Sequence, residues 1–156
     1  MLVLLDATVL TNFGRVGLTS APLDLWGDQV HTTVKVLDEY NAGIRAAGLP
    51  PMAWEELSSL ILTPEEQAFA ATMSQRLGKG ERACLAIAVM RDATLATDDR
   101  LARRAAKDYG IRVIGTLGIL KSCVQRGLLS RSKAQRKLDE MIAAGYYSPV
   151  LNLKDE

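Results

Sequence analysis

Histidine, cysteine and aromatic side chains are scarce in this chain of 156 residues, and each scarcity removes a class of chemistry. With one histidine, His31, any metal has to be held by oxygen, and no serine or cysteine finds a general base elsewhere in the chain. In its apolar setting His31 reads as a packed residue. The two cysteines, Cys84 and Cys123, lie far apart in apolar helical patterns. Disulfide scaffolds and zinc sites need denser spacing, so both read as buried thiols. No apolar run approaches the ~18 residues of a membrane span, and the opening Met1-Leu-Val-Leu-Leu-Asp6 has no basic leader. The default expectation is a cytoplasmic protein with no membrane partner. A G-x-x-x-x-G-K-[ST] phosphate loop is missing, and Gly78-Lys79-Gly80 follows a predicted helix, the wrong context for a dinucleotide site. Asp6-Ala7-Thr8 lacks the second aspartate that an aspartyl-phosphate phosphatase would use as acid and base.

What is present is ordinary globular composition, 48% apolar and 24% charged, which predicts one domain with a real core. The net charge of +1 hides an uneven distribution. Residues 1–75 carry three basic residues against nine acids, and residues 76–156 carry sixteen against nine. A basic half bordering carboxylates suits a polyanion held beside a metal ion; solvated basic helix faces account for the same charges equally well.

Short apolar runs alternate with helical patterns, predicting βαβ units and a mostly parallel sheet in an α/β fold. Leu2–Leu5 reads as a central buried strand ending at Asp6, followed by a helix over Ala7–Phe13. Gly14–Gly27 reads as helix remnants and loop, and Gln29–Thr32 as a second strand. Thr33–Ala47 is helical with Val34, Leu37 and Ile44 on one side. Asp38 and Glu39 point about 100° apart there, and Glu39 is taken as the acid nearer the core edge. Gly48-Leu-Pro-Pro51 breaks the chain, and Trp54–Leu62 is extended. Thr63-Pro64-Glu65-Glu66 starts a helix expected to reach Leu77. Glu81 opens an alanine-rich helix, Ala93–Ala96 is a strand ending at Thr97-Asp98-Asp99, and Arg100–Tyr109 is a basic helix. Ile111–Ile114 is the last strand, with helices over Thr116–Gly127 and from Ser130 to Ala144.

Asp6, Glu39, Glu81, Asp98 and Asp99 all fall at strand ends or near helix starts on one edge of such a sheet, where open α/β folds bind ligands. Converging carboxylates repel and raise one another's pKa, a cost that Mg²⁺ or Mn²⁺ removes. Such an ion could orient a water and neutralise charge on a phosphodiester. The alternative is local: Asp6 and the Asp98-Asp99 pair cap the helices that follow them, and Glu81 is a first-turn acid favoured by the helix dipole.

Taken together, these residues resemble the PIN-domain ribonucleases, the class that includes the toxins of many toxin–antitoxin pairs. The likeness spans nearly the whole chain, residues 1–156, as a single-domain α/β/α sandwich. It rests on Leu4-Leu-Asp6-Ala-Thr8-Val-Leu10, Val36-Leu-Asp-Glu39, Gly78-Lys-Gly-Glu81, Thr97-Asp-Asp99 and Gly110-Ile-Arg-Val-Ile-Gly-Thr-Leu-Gly-Ile-Leu120. The G-x-G-E motif and the Asp-Asp pair are similar to a less characterised branch of that family. Carried over, the acidic quartet falls on Asp6, Glu39, Glu81 and Asp99, with Asp98 a fifth acid. The resemblance implies Mg²⁺ or Mn²⁺ and hydrolysis of single-stranded RNA by a metal-bound water. Asp6, Glu81, Asp98 and Asp99 are then the metal ligands, and Thr8 and Thr97 steady acids or waters. Two positions depart from the better-studied toxins: Glu81 stands where aspartate is usual, and Thr8 where asparagine or serine is common.

On this reading Lys79, Arg82, Arg100, Arg103 and Arg104 guide the phosphate backbone, Arg100 foremost because it follows Asp99. Leu117, Ile119, Leu120 and Val124 offer either core or a face for a homodimer or an antitoxin helix, with core favoured. A rival reading keeps the fold without turnover, as a nucleic-acid-binding or partner-binding domain.

Overall fold

Every one of the expected short apolar runs becomes a strand, and all of them run parallel. The computed structural model describes residues 1–49 and 54–154, so the Pro50-Pro51 break lies outside the described residues. In chain order the elements are β1 (Val3–Leu5), α1 (Ala7–Arg15), α2 (Ser20–Trp26), a 3₁₀ turn (Gly27–Gln29), β2 (Val30–Thr33), α3 (Val34–Ala46) and β3 (Ser58–Leu60). There follow α4 (Pro64–Ala71), α5 (Lys79–Arg91), β4 (Thr94–Ala96), α6 (Arg100–Asp108), β5 (Val113–Ile114), α7 (Thr116–Gln125) and α8 (Arg131–Ala143).

The sheet order is β3-β2-β1-β4-β5, with Val3 of β1 in register with Val30 on one side and Thr94 on the other. Val3, Leu4 and Leu5 are fully buried although alternate residues face opposite sides of a sheet, so helices cover both faces. The architecture is a three-layer α/β/α sandwich. Chain order proceeds outward from β1 to β2 and β3, then returns to the far side of β1 for β4 and β5. The reversal makes a switch point between β1 and β4, and a crevice opens there beyond the strands' carboxyl ends.

Local chemistry fixes several boundaries. Thr63 and Glu66 close a reciprocal capping box at the start of α4 (3.1 and 2.8 Å), and Ser130 caps α8 through the Lys133 amide at 3.0 Å. Arg91 then clamps Glu66 with two hydrogen bonds of 2.7 Å, tying the end of α5 to α4 and drawing the Glu66 carboxyl down to about 2.

Four expectations need correction. The stretch 14–27 contains the helix α2, whose Ala21, Pro22 and Leu25 are buried. Helix α4 stops at Ala71, six residues short of Leu77, because the Thr72 hydroxyl takes the Phe69 carbonyl at 2.6 Å. The buried face of α3 is Val36, Tyr40 and Ile44, while Val34 is exposed. Helix α5 begins at Lys79, so Gly80 is helical and Glu81 occupies its third position. In α7, Ile119 and Leu120 are core residues and Leu117 and Val124 pack half-buried against them. His31 lies half-buried in β2 beside the Gln29 carbonyl, and both cysteines are buried free thiols. Among the described residues no helix is long and apolar enough to cross a membrane.

Candidate active site

The crevice is built first from Asp6. It ends β1, caps α1, and is 2% exposed. One carboxylate oxygen accepts from the Thr8 amide (3.0 Å), the Thr8 hydroxyl (2.6 Å) and the Val9 amide (3.2 Å). The other accepts from the Thr97 hydroxyl, across the switch point on the segment leaving β4. Despite these donors, burial pushes the Asp6 carboxyl up to about 7, with the nearby charge of Asp98 adding to the rise.

The two threonines join Asp6 to the next two acids. The Thr8 hydroxyl accepts from the Asp98 amide at 3.0 Å, and the Thr97 hydroxyl accepts from the Asp99 amide at 3.1 Å. Asp99 caps α6 by accepting from the Ala102 amide at 2.9 Å. Thr8 and Thr97 thus each link the Asp6 carboxylate to a backbone amide of the Asp98-Asp99 pair.

Glu39 and Glu81 arrive from α3 and α5. Glu39 accepts from the Gly80 amide at 2.9 Å, and Glu81 accepts from the Gly78 amide at 3.2 Å. A Cβ on Gly80 would lie 2.6 Å from a Glu39 oxygen, so this approach requires glycine. Burial raises the Glu81 pKa, and the charges of Asp99 and Glu39 raise it further, which puts all three carboxylates in one field. Cys84, one turn beyond Glu81, is fully buried beneath them; burial foremost, then the charges of Asp6, Glu39 and Glu81, drives its thiol pKa up and keeps it neutral.

Asp98 has a different setting. Its oxygens accept from the Thr116 amide (2.9 Å), the Thr116 hydroxyl (2.5 Å) and the Asn12 side chain (3.1 Å), fastening the switch point to α7 and α1. Asn12 and Thr116 are buried polar residues that sequence reasoning missed. Asn12 carried a signal, lying four residues after Thr8 on the same face of α1. Thr116 opens α7 just beyond β5, the same strand-end position as the acids.

The basic residues divide. Arg100 is exposed and lines a cleft of about 670 Å³ with Asp98 and Arg103. Arg103 donates to the Thr97 carbonyl at 2.8 Å and so also braces the backbone. Arg104 lines a second cleft with Lys107 and Arg112, where Asp98 takes no part. Lys79 is exposed at the start of α5, and Arg82 is half-buried with its Nε unpartnered among the described residues.

Could these residues hold a divalent cation? In kind they can: the donors are hard oxygens, and burial above all raises the pKa values of Asp6 and Glu81, a penalty on their charged forms that a cation would offset. The side chains are turned onto amides and hydroxyls, however, and among the described residues no three converge closely enough to grip one ion. Side-chain rotation toward the crevice would be needed.

A family model described as a PIN domain matches residues 2–153. No curated protein and no solved structure gives a significant match.

Proposed function

The chain belongs to the PIN-domain family, whose members are generally nucleases that use divalent metals, and we propose that it is a metal-dependent endoribonuclease acting on single-stranded RNA. What supports this reading is that Asp6 and Asp99 follow the two strands at the switch point, and that Glu81 feels the charges of both Asp99 and Glu39. Asp6, Glu81 and Asp99 would hold Mg²⁺ or Mn²⁺, with Asp98 beside them. When bound, the cation supplies an activated water and neutralises charge on the phosphodiester.

The chain's own residues set the geometry. Thr8 and Thr97 hold the Asp6 carboxylate at the strand end, from which it would turn toward a bound cation. Glu39, anchored on the Gly80 amide, would orient a water at the crevice mouth. Arg100 would be the foremost contact for a backbone phosphate, with Lys79 and Arg82 on α5 as further contacts. Arg104 would act only on a longer strand that follows α6 toward Lys107 and Arg112.

Asp6→Asn tests the scheme, because the amide keeps the size of the side chain and loses its charge. Cleavage of a mixed single-stranded RNA pool in Mn²⁺ should fall at least a hundredfold, and Mn²⁺ should no longer raise the unfolding temperature. Metal-dependent cleavage that survives in Asp6→Asn would overturn the assignment.

A further inference from the structure

The chain is poor in aromatic residues, and one of them is held out in water beside the acids. Helix α8 ends in a Schellman motif: the Gly145 amide donates to the Ile142 carbonyl (3.1 Å) and the Tyr146 amide to the Met141 carbonyl (2.9 Å). Gly145 takes φ +115°, which turns the chain back over the carboxyl edge of the sheet. Arg15 secures this turn by donating to the Ala144 carbonyl at 2.8 Å.

Tyr146 is the anchor. It is 9% exposed, and burial pushes its phenol up to about 12, with the Asp98 charge contributing. Tyr147 is the opposite, 91% exposed, whereas the next most exposed aromatic ring, Tyr109, is 42% exposed and packs edge-on against Phe69. Tyr146 and Tyr147 line two clefts, one with Asp98, Arg100 and Arg103, the other with Thr8, Asn12 and Asp98. Asp98 belongs to both, so the Tyr147 ring stands where the two clefts share Asp98, next to Thr8, the residue that holds Asp6.

We propose that Tyr147 is a stacking platform for a base of the RNA strand, seating a nucleotide next to the phosphate to be cleaved. The proposal rests on the nuclease reading above and deepens it. Unstacked bases of single-stranded RNA are recognised by aromatic faces, and stacking tolerates any base because every base has a π-face. The flanking Arg100 and Arg103 supply the complementary charge for the phosphates on either side of a stacked base. A duplex, with its bases inside, could not use the ring.

The test uses the full chain carrying Asp99→Asn, so that RNA is bound without being consumed, and reads binding by fluorescence anisotropy. Two labelled strands are compared, a mixed-sequence single-stranded RNA and the same backbone without bases. Adding Tyr147→Ala should weaken binding to the base-bearing strand about tenfold, while Tyr147→Phe stays within twofold of the parent. Both should bind the abasic strand equally, and an unchanged unfolding midpoint would show that this exposed residue does not support the fold. Equal binding by Tyr147→Ala, or equal loss on the abasic strand, would overturn the proposal. So would a drop in molecular mass with Tyr147→Ala, which would assign the ring to a second copy of the chain. If wild type binds and cuts RNA while Tyr147→Ala changes nothing, stacking alone fails. If the chain with Tyr147 intact binds no RNA, the nuclease reading fails with it.

Discussion

Asp6 has four hydrogen-bond donors and a folded pKa of about 7, against 3.8 for an ordinary aspartate, because removal from water outweighs the donors. In the metal-free protein the folded state therefore binds a proton that the unfolded chain has lost between about pH 4 and 7. Stability from this group is fully present below pH 4 and is lost as pH rises through 7, a change worth at most roughly 4 kcal/mol. Glu66 has the opposite sign: its contribution is present above 4.5 and disappears only as pH falls through about 2. Between pH 4.5 and 7.5 the slope thus reports the crevice acids. Thermal unfolding in EDTA across that window should show a falling midpoint in wild type and a flatter curve in Asp6→Asn. The residual slope belongs to Glu81, whose pKa is also raised. Parallel curves for the two proteins would contradict this electrostatic account.

At the scale of elements, the crevice depends on how closely α3 and α5 approach. Gly80→Ala places a methyl 2.6 Å from the Glu39 oxygen and 3.1 Å from a buried Val36 methyl. Glu39 is the movable neighbour, so its carboxylate should leave the Gly80 amide. Cleavage should fall about tenfold, since a small misplacement of a catalytic group costs that much or more. The fold should hold within about 1 kcal/mol, helped by alanine's helix propensity. Full activity in Gly80→Ala would show that the Glu39 placement is dispensable.

Much of this element layout was legible in the sequence, and the failures have physical causes. Acids that end apolar runs mark strand ends directly, which is why Asp6 and Asp98-Asp99 were found. Capping residues such as Thr63 and Ser130 announced their helices. The end of α4 was hidden because the Thr72 hydroxyl competes with the backbone ladder. In α3, Val34, Val36 and Leu37 permit two apolar faces, and only packing selects the one with Val36. Asn12 and Thr116 are 104 residues apart, and nothing local in the chain records their hydrogen bond. The position of Tyr147 beside Thr8 and Asn12 is equally non-local.

For the whole molecule, the strand order β3-β2-β1-β4-β5 explains why acids spread over more than ninety residues of sequence fall on one edge of the sheet. Asp6 and Asp99 leave the two strands that flank the switch point, and α3 and α5 bring Glu39 and Glu81 over the same edge. The basic character of α6, which starts at Asp99, then lies along the exit of the crevice. On the proposed reading, a polyanion entering there meets carboxylates whose charge a bound cation would offset, so metal dependence and RNA cleavage are expected to be lost together.

The measurement that reaches this claim most directly is the cutting of a mixed single-stranded RNA pool by wild type and by Asp99→Asn, each with Mn²⁺ and with EDTA. Cleavage only by wild type and only with Mn²⁺ is the predicted result. Binding without cutting under any divalent ion, or cutting that persists in EDTA or in Asp99→Asn, would contradict it and leave Asp6 and Asp99 as caps of the helices they precede.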